Sequence, residues 1–234
     1  MKIVITGASA GIGYETALKL SENPANEIIA IARREDHLKS LKEEASKRNT
    51  SSRLDYVVGD LSHENSLDYV IKSIGTKYNA IDILINNAGH LINKPFEELT
   101  GEDWLAVYST NVFGVVNVIR NMLPLMSRNA HIVNISSMGG MRGSAKFKGL
   151  SAYSSSKAAL INITECLAEE FKDRGIAVNC LALGSVQTEM FSSAFPSFKA
   201  ALSSKDMAAY VADFALNGNK YFNGKVIPVS NSTP

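Results

Sequence analysis

The chain is short of cysteine, of excess charge of either sign and of basic tracts, and each shortage argues against a class of protein. Its two cysteines, Cys166 and Cys180, form no CxxC pair, which disfavours a disulfide framework or a zinc site. The formal net charge of the 234 residues is only +1. Without a basic field or arm, a nucleic-acid partner is not expected.

Long hydrophobic segments are also missing, since no apolar run reaches the roughly 20 residues that span a membrane. The first residues lead into an apolar strand pattern without a charged leader, so we expect a cytoplasmic protein that contacts no membrane. The histidines are scattered and form no cluster with nucleophiles or metal ligands: His37, His63, His90 and His131. No metal site is therefore expected.

Apolar segments of strand length alternate with helical patterns through the sequence. Strands are predicted at 2–6, 27–31, 54–58, 81–86, 130–135, 177–183 and 225–229. Helices are predicted at 12–22, 35–48, 64–77, 101–127, 152–173 and 204–216. The strands are nearly continuous in Val, Ile, Leu and Ala, which is typical of strands covered on both faces. We therefore predict one α/β domain over 1–234, a Rossmann-like doubly wound sheet of seven mostly parallel strands with helices on both faces.

Two irregular segments follow strand ends, at about 138–150 and 188–204. Ligands bind at the carboxyl ends of strands in open α/β sheets, so both segments are predicted to border a substrate pocket. The second segment is rich in large apolar residues, which either form a lid or fill the core beneath one: Met190, Phe191, Phe195 and Phe198.

A glycine-rich turn, TGASAGIG, follows the first strand. Gly7 permits a sharp turn, Gly11 lets the backbone approach a pyrophosphate, and Gly13 permits close packing of the next helix. The free N–H groups and positive dipole end of that helix would face the anion. The spacing differs from GxGxxG, but the strand before and the helix after favour a dinucleotide site over an ordinary turn.

The end of the second predicted strand indicates which dinucleotide binds. Ala32 occupies the position where an NAD-binding fold places a carboxylate for the ribose 2′-hydroxyl, and Arg33 and Arg34 follow it. A guanidinium can pair with a 2′-phosphate in a fork geometry. The sequence therefore favours NADP(H) over NAD(H), with Arg33 the better candidate. The alternative is that both arginines are solvated residues at a helix start.

Tyr153 and Lys157 are one helical turn apart and so lie on one face of a predicted helix. A phenol titrates near pH 10, and a fixed ammonium nearby lowers that pKa. Such a pair can give and take protons at neutral pH. Alone the spacing is a weak signal, because many solvated helices carry it by chance.

Other segments complete a pattern: Asn86-Asn87-Ala88-Gly89 follows the fourth strand, and Asn134-Ile-Ser-Ser137 closes the fifth. With the glycine turn and the YxxxK pair, the chain resembles the short-chain dehydrogenase/reductase family along essentially its whole length. The resemblance implies that Tyr153 is the general acid or base and that Lys157 lowers its pKa and holds the nicotinamide ribose. It also implies that Ser137 bonds the substrate oxygen and that Asn111 positions a water of the proton relay.

The resemblance further implies a set of coenzyme contacts. Asp60 and Leu61 would flank the adenine, and Asn87 to Gly89 would pass close to the ribose. Read alone, Asp60 is equally well a helix-start acceptor, and Asn111 could bond only within its helix. The full implied set is Gly7, Ser9, Gly11, Ile12, Gly13, Arg33, Arg34, Asp60, Leu61, Asn87, Ala88, Gly89, Tyr153, Lys157, Val186 and Thr188.

The chain departs from the family pattern at two places. Leu183 stands where many members carry a proline that stiffens the turn after the sixth strand. The segment between Ser137 and Tyr153 is longer than the family pattern, and it carries basic residues that either meet an acidic substrate or solvate a loop: Arg142, Lys146 and Lys148.

These observations predict an NADP(H)-dependent oxidoreductase that reduces a carbonyl or oxidises a secondary alcohol of a small molecule. The alternative is a non-catalytic NADP(H)-binding regulator or scaffold of the same fold. The helices at about 101–127 and 152–173 carry more apolar residues than one core-facing stripe needs. We therefore expect a homodimer or homotetramer through them, unless both are buried within one chain.

Overall fold

A computed structural model of the chain describes residues 1–231, apart from the side chain of Glu64. Its centre is a seven-stranded parallel sheet in the order β3-β2-β1-β4-β5-β6-β9. The strands are β1 (Lys2–Thr6), β2 (Glu27–Ala32), β3 (Arg53–Val58), β4 (Ile81–Asn86), β5 (Met126–Ser137), β6 (Ala177–Leu183) and β9 (Val226–Val229). Two short strands, β7 (Val186–Gln187) and β8 (Leu202–Ser203), pair separately.

Helices connect these strands and cover the sheet. They are α1 (Gly11–Ser21), α2 (Glu35–Arg48), α3 (Glu64–Lys77), α4 (Gly101–Tyr108), α5 (Val115–Met122), α6 (Ser151–Glu170), α7 (Glu189–Ala194) and α8 (Ser204–Asn217). Thr100 and Asp103 form a reciprocal capping box at the start of α4, as their spacing indicates. Among the described residues, no helix is long and apolar enough to cross a membrane.

Side chains of the strands alternate between two hydrophobic cores. Ile3 and Ile5 of β1 point into the core shared with α1, α2 and α8, whereas Val4 points into the core shared with α3, α5 and α6. Both faces of the sheet are therefore covered, which explains the nearly continuous apolar strands and confirms the doubly wound α/β prediction. Since the strand order reverses between β1 and β4, a ligand crevice is expected at their carboxyl ends.

The predicted fourth helix, 101–127, is wrong as a continuous element. After α4 the chain forms a π-helical turn over Ser109–Gly114, then α5, and residues from Met126 onward already belong to β5. A π turn widens the backbone locally and is often found at functional sites. Gly114 suits this turn, since a Cβ would lie only 3.0 Å from the Ser109 carbonyl oxygen and 3.1 Å from that of Leu61. Pro124 lies in the 3₁₀ turn Leu123–Leu125 that ends the helical region.

The predicted irregular segment at 188–204 also contains regular structure. It includes α7, whose first turn is capped by the Thr188 hydroxyl, and the β8 strand. Phe195 packs between Phe191 and Phe198, with ring centres 5.3 and 6.4 Å apart. Since Met190 and Phe198 remain 41% and 70% exposed, the segment is a surface layer of aromatic side chains rather than core filling.

Candidate active site

Tyr153 and Lys157 lie on α6, against the end of β5. The Lys157 side chain is buried, and its Nζ donates to the Ile135 carbonyl oxygen at 2.8 Å. The same Nζ lies 5.8 Å from the centre of the Tyr153 ring. The Ser136 hydroxyl donates to the Lys157 carbonyl oxygen at 2.8 Å, so β5 holds both the helix and the ammonium. The one-turn spacing thus places phenol and ammonium side by side, as expected.

Ser137 ends β5 and faces Tyr153. Its hydroxyl accepts from the Gly139 amide at 3.2 Å and lies close enough to the Tyr153 phenol to lower the pKa of that group. Burial raises the pKa of Tyr153 to about 12, although the Ser137 bond acts in the opposite direction. Burial also lowers the pKa of Lys157 to about 8. Burial thus shifts the phenol pKa in the direction opposite to the one that a neighbouring ammonium favours.

Asn111 lies in the π-helical turn and is fully buried. Its Oδ1 accepts from the His90 amide at 2.7 Å, and its Nδ2 donates to the His90 carbonyl at 2.9 Å. The same Nδ2 donates to the Ser156 hydroxyl at 2.9 Å. The side chain therefore bonds outside its own helix, and joins the π turn to α6 and to the segment after β4. The sequence analysis did not identify His90 or Ser156 as site residues, although His90 follows Gly89 and Ser156 precedes Lys157.

Gly89 lies between these groups. A Cβ on Gly89 would be 3.6 Å from both Asn111 Oδ1 and Lys157 Nζ. The structure thus brings Ser137, Tyr153 and Lys157 together at the carboxyl end of β5, with Asn111 facing them across Gly89. A phenol, a hydroxyl and an ammonium around one small space can hold an oxygen atom and move a proton to it.

The glycine turn lies at the neighbouring strand end. Gly7 and Gly11 have positive φ angles of 68° and 58°, and Cβ atoms at Gly7 and Gly13 would lie within 3 Å of residues Ala88 and Asn87. The Thr6 hydroxyl accepts hydrogen bonds from the backbone amides of Asn87 and Ala88, each at 3.1 Å. Thr6 thus joins the glycine turn to the segment after β4. The position of Thr6 directly before Gly7 could have indicated this role, but the sequence analysis did not identify it.

The start of α1 fits an anion. Its N-cap residue, Ala10, makes no side-chain cap, and the first turn has no acidic residue. The first amides of a helix have no partner within the helix, so they and the dipole attract a negative group. A pyrophosphate therefore fits between this helix end and the glycine backbone. Ser9 and Ile12 lie in the same turn, half-buried.

Arg33 and Arg34 follow β2, and both pair with carboxylates. Arg33 is 71% exposed in its side chain and lies 3.5 Å from Asp60, whereas Arg34 pairs with Glu189 at 3.0 Å. Burial would raise the pKa of Asp60, but bonds from the hydroxyl and amide of Ser62, with the Arg33 charge, hold it below its usual range. Asp60 therefore acts as a local turn acceptor, and Glu189 is a partner that sequence reasoning missed.

The remaining predicted residues lie at two strand ends, with Leu61 after β3 and Val186 and Thr188 after β6. Leu61 and Val186 are buried, and the Thr188 methyl lies over the glycine turn, where a Cβ on Gly11 would meet it at 3.2 Å. Leu183 does not form a proline-like turn. It continues β6 and pairs with Val229 of β9.

The long segment before Tyr153 is a compact loop organised by one lysine. Lys146 Nζ donates to the Gly139 carbonyl at 2.8 Å, to the Met141 carbonyl at 2.6 Å and to the Ser144 hydroxyl at 2.8 Å. Since all three donors are used within the loop, Lys146 serves the loop rather than an acidic substrate. A cavity of about 360 Å³ lies beside it, with Phe96 and Phe147 in its walls.

Gly140 controls how closely this loop approaches α6. A Cβ on Gly140 would lie 2.7 Å from the Lys157 carbonyl carbon and 2.8 Å from the Ala158 nitrogen. Gly140→Ala should push α6 away, destabilise the protein by about 1–3 kcal/mol and lower kcat, because small displacements of catalytic groups are costly. Melting and steady-state kinetics measure both effects.

The matched control is Gly75→Ala in α3, where a Cβ would meet nothing within 4 Å. That variant should gain about 0.4–1 kcal/mol and keep its kcat. If Gly140→Ala behaved like Gly75→Ala, the loop would not set the position of α6.

Comparisons with known proteins show which proteins this chain is similar to. The short chain dehydrogenase family profile matches residues 1–197. The 3-oxoacyl-(acyl-carrier-protein) reductase FabG of Thermotoga maritima is 35% identical over 189 residues, covering 80% of this chain and 74% of that protein.

Solved structures are also similar. A short chain dehydrogenase from Burkholderia cenocepacia in complex with NADP has a TM-score of 0.88 at 24% identity, covering 98% of this chain and 96% of that one, and shows the shared fold. A variant of actinorhodin polyketide ketoreductase with NADPH has a TM-score of 0.85 at 26% identity, covering 97% of this chain and 95% of that one.

Proposed function

The chain belongs to the short-chain dehydrogenase/reductase family of oxidoreductases, and we propose that it is an NADP(H)-dependent member that reduces a carbonyl or oxidises a secondary alcohol. The observation that carries this proposal is the Ser137–Tyr153 hydroxyl pair beside the buried Lys157 ammonium. These groups can bind a carbonyl oxygen and protonate it. They lie next to the crevice whose glycine turn fits a dinucleotide.

The chemistry divides between coenzyme and protein. NADP(H), when bound, supplies or accepts the hydride. Tyr153 is neutral below a pKa of about 12, so at working pH it can give its proton to the oxygen of a carbonyl being reduced. Ser137 orients that oxygen, and the Lys157 ammonium stabilises the tyrosinate that forms. Asn111 positions a relay water by fixing the backbone around His90 and α6.

We propose that the whole chain is one coenzyme-binding domain. The glycine turn with Ser9, Ile12 and Thr188 would hold the pyrophosphate and carboxamide. Asp60 and Leu61 would flank the adenine, and Asn87 to Gly89 with Lys157 would hold the ribose. The family assignment and the uncapped α1 support this arrangement.

Both arginines would contact the 2′-phosphate, and Arg33, the more exposed of the two, would contribute more to the coenzyme choice. Arg33→Asp should weaken NADPH binding about 10- to 100-fold, because a bidentate phosphate contact becomes a charge repulsion. NADH binding should change much less. Fluorescence titration of both coenzymes measures the ratio.

Arg53→Asp is the matched control, because Arg53 pairs with Glu27 at the opposite end of β3. It should leave the NADPH-to-NADH ratio unchanged. An unchanged ratio in Arg33→Asp as well would refute the role of Arg33.

We also propose that the protein is a homodimer or homotetramer through α4, α5 and α6. Aromatic side chains form a chain of ring contacts along this surface, from Phe96 through Trp104 and Tyr108 to Phe113. Phe96, Leu105 and Phe113 are each more than half exposed. Exposed apolar patches of this kind are typical of interfaces, and light scattering measures the assembly.

A further inference from the structure

Arg34 makes a fork-shaped contact across the crevice. Its two terminal nitrogens lie 3.0 and 3.1 Å from Glu189 Oε2, and Nη1 lies 3.3 Å from Oε1. Arg34 precedes α2, on the side of the crevice that follows β2, whereas Glu189 begins α7, on the opposite side. The pair therefore joins the two edges of the coenzyme crevice.

The pair also lies against the glycine turn. Arg34 Nε is 3.4 Å from the Ser9 hydroxyl, and the ring of His37 contacts the Ser9 carbonyl oxygen at 3.0 Å. Thr188, directly before Glu189, covers Gly11. Arg34 is thus close to the place where the adenosine half of a dinucleotide would lie.

A guanidinium fork fits either a carboxylate or a phosphate, but the same two N–H groups cannot serve both. The Arg34 and Glu189 side chains are 41% and 64% exposed. An exposed ion pair is weak, so a dianionic phosphate can displace Glu189 from Arg34.

From these contacts we infer that Glu189 competes with the 2′-phosphate of NADP(H) for Arg34, and that the ion pair is a clasp which the 2′-phosphate opens. The inference rests on the proposed function, because it needs NADP(H) in the crevice. It assigns Glu189 a role in coenzyme discrimination, as a residue that weakens 2′-phosphate binding while it holds Arg34.

The clasp also connects coenzyme recognition with α7. Glu189, the first residue of α7, is held by its ion pair with Arg34. Ala194, the last residue, is held by its carbonyl oxygen, which accepts from the Asn93 side-chain amide at 2.8 Å. When Arg34 binds the 2′-phosphate, its ion pair with Glu189 is broken. Helix α7 then keeps only its contact with Asn93 of these two when the 2′-phosphate binds, a coupling between the coenzyme crevice and α7 through one side chain.

The test compares Glu189→Gln with the wild type by calorimetry, using adenosine 2′,5′-bisphosphate and adenosine 5′-monophosphate as probes. The variant should bind the bisphosphate up to about fivefold more tightly, which corresponds to losing a competing pair of at most about 1 kcal/mol. Binding of the monophosphate should stay within a factor of about two.

Glu35→Gln is the matched control. It removes one negative charge beside Arg34, but the Glu35 carboxylate pairs with Lys39 at 3.0 Å. Its bisphosphate affinity should change by less than a factor of about two. An equal gain in this control would overturn the clasp, because the effect would then be one of general charge.

Hydrogen exchange of the α7 amides gives a second readout. The bisphosphate should speed exchange of the α7 amides in the wild type. In Glu189→Gln these amides should exchange fast even when no bisphosphate is present. Equal bisphosphate affinity in the wild type and Glu189→Gln would overturn the clasp and leave the proposed function intact. A wild type that bound the bisphosphate no better than the monophosphate would instead overturn the NADP(H) preference on which the inference rests.

Discussion

Tyr153→Phe should lower kcat roughly 10²- to 10⁴-fold, the usual contribution of a positioned general acid, and leave NADPH affinity nearly unchanged. The substitution removes one hydroxyl and keeps the ring that packs on α6 beside Lys157. The proton for the carbonyl oxygen then has no donor at the correct place, although Ser137 can still hold that oxygen. Steady-state kinetics and a coenzyme titration separate the two effects.

Tyr221→Phe is the matched control, because that phenol is 78% exposed and far along the chain from the site. It should keep both its kcat and its coenzyme affinity. Full turnover of Tyr153→Phe with a carbonyl substrate would exclude Tyr153 as the proton donor. Loss of coenzyme binding in Tyr153→Phe would mean that the Tyr153 hydroxyl is needed to bind the coenzyme rather than to donate the proton.

Lys157→Met should lower kcat between about 10-fold and 10³-fold, because a neighbouring ammonium favours an ionised partner by 1–3 pKa units. The pH dependence carries the same information. Since the pKa of Lys157 is about 8, its charge is present below that pH and lost above it. The rate of carbonyl reduction should therefore fall as pH rises past about 8 in the wild type, and this limb should disappear in Lys157→Met.

Lys172→Met provides the comparison, since that side chain is 66% exposed and pairs with Glu169 at 3.5 Å. Its pH profile should match that of the wild type. Melting curves should accompany the kinetics, because Lys157→Met leaves the Ile135 carbonyl without the bond from Nζ. A wild-type limb that persisted in Lys157→Met would assign the titration to another group.

The sheet and the order of its elements could be predicted because local patterns determine them. Strands such as Lys2–Thr6 and Ala177–Leu183 are covered on both faces, so most of their residues are apolar. Helices such as Glu35–Arg48 separate them with an amphipathic period. The family resemblance implied that Tyr153 and Ser137 act on the same substrate oxygen, and α6 does lie against the end of β5 that carries Ser137.

Other features depend on contacts that no local pattern contains. The Arg34–Glu189 pair joins residues 155 positions apart, so only the folded chain shows that Arg34 already has an anionic partner. The π turn around Asn111 has the same composition as an ordinary helix. The high pKa of Tyr153 follows from burial, which its spacing from Lys157 does not reveal.

The most direct test of the central claim is hydride transfer itself. The wild-type protein is incubated with NADPH deuterated at the transferable position of its nicotinamide and with small diketones, 3-oxoacyl thioesters and sugars, and the products are analysed by mass spectrometry. We predict an alcohol with one deuterium on the former carbonyl carbon, formed by the wild type and not by Tyr153→Phe. NADPH that binds but transfers no deuterium to any of these carbonyls would contradict this account and favour a coenzyme-binding regulator.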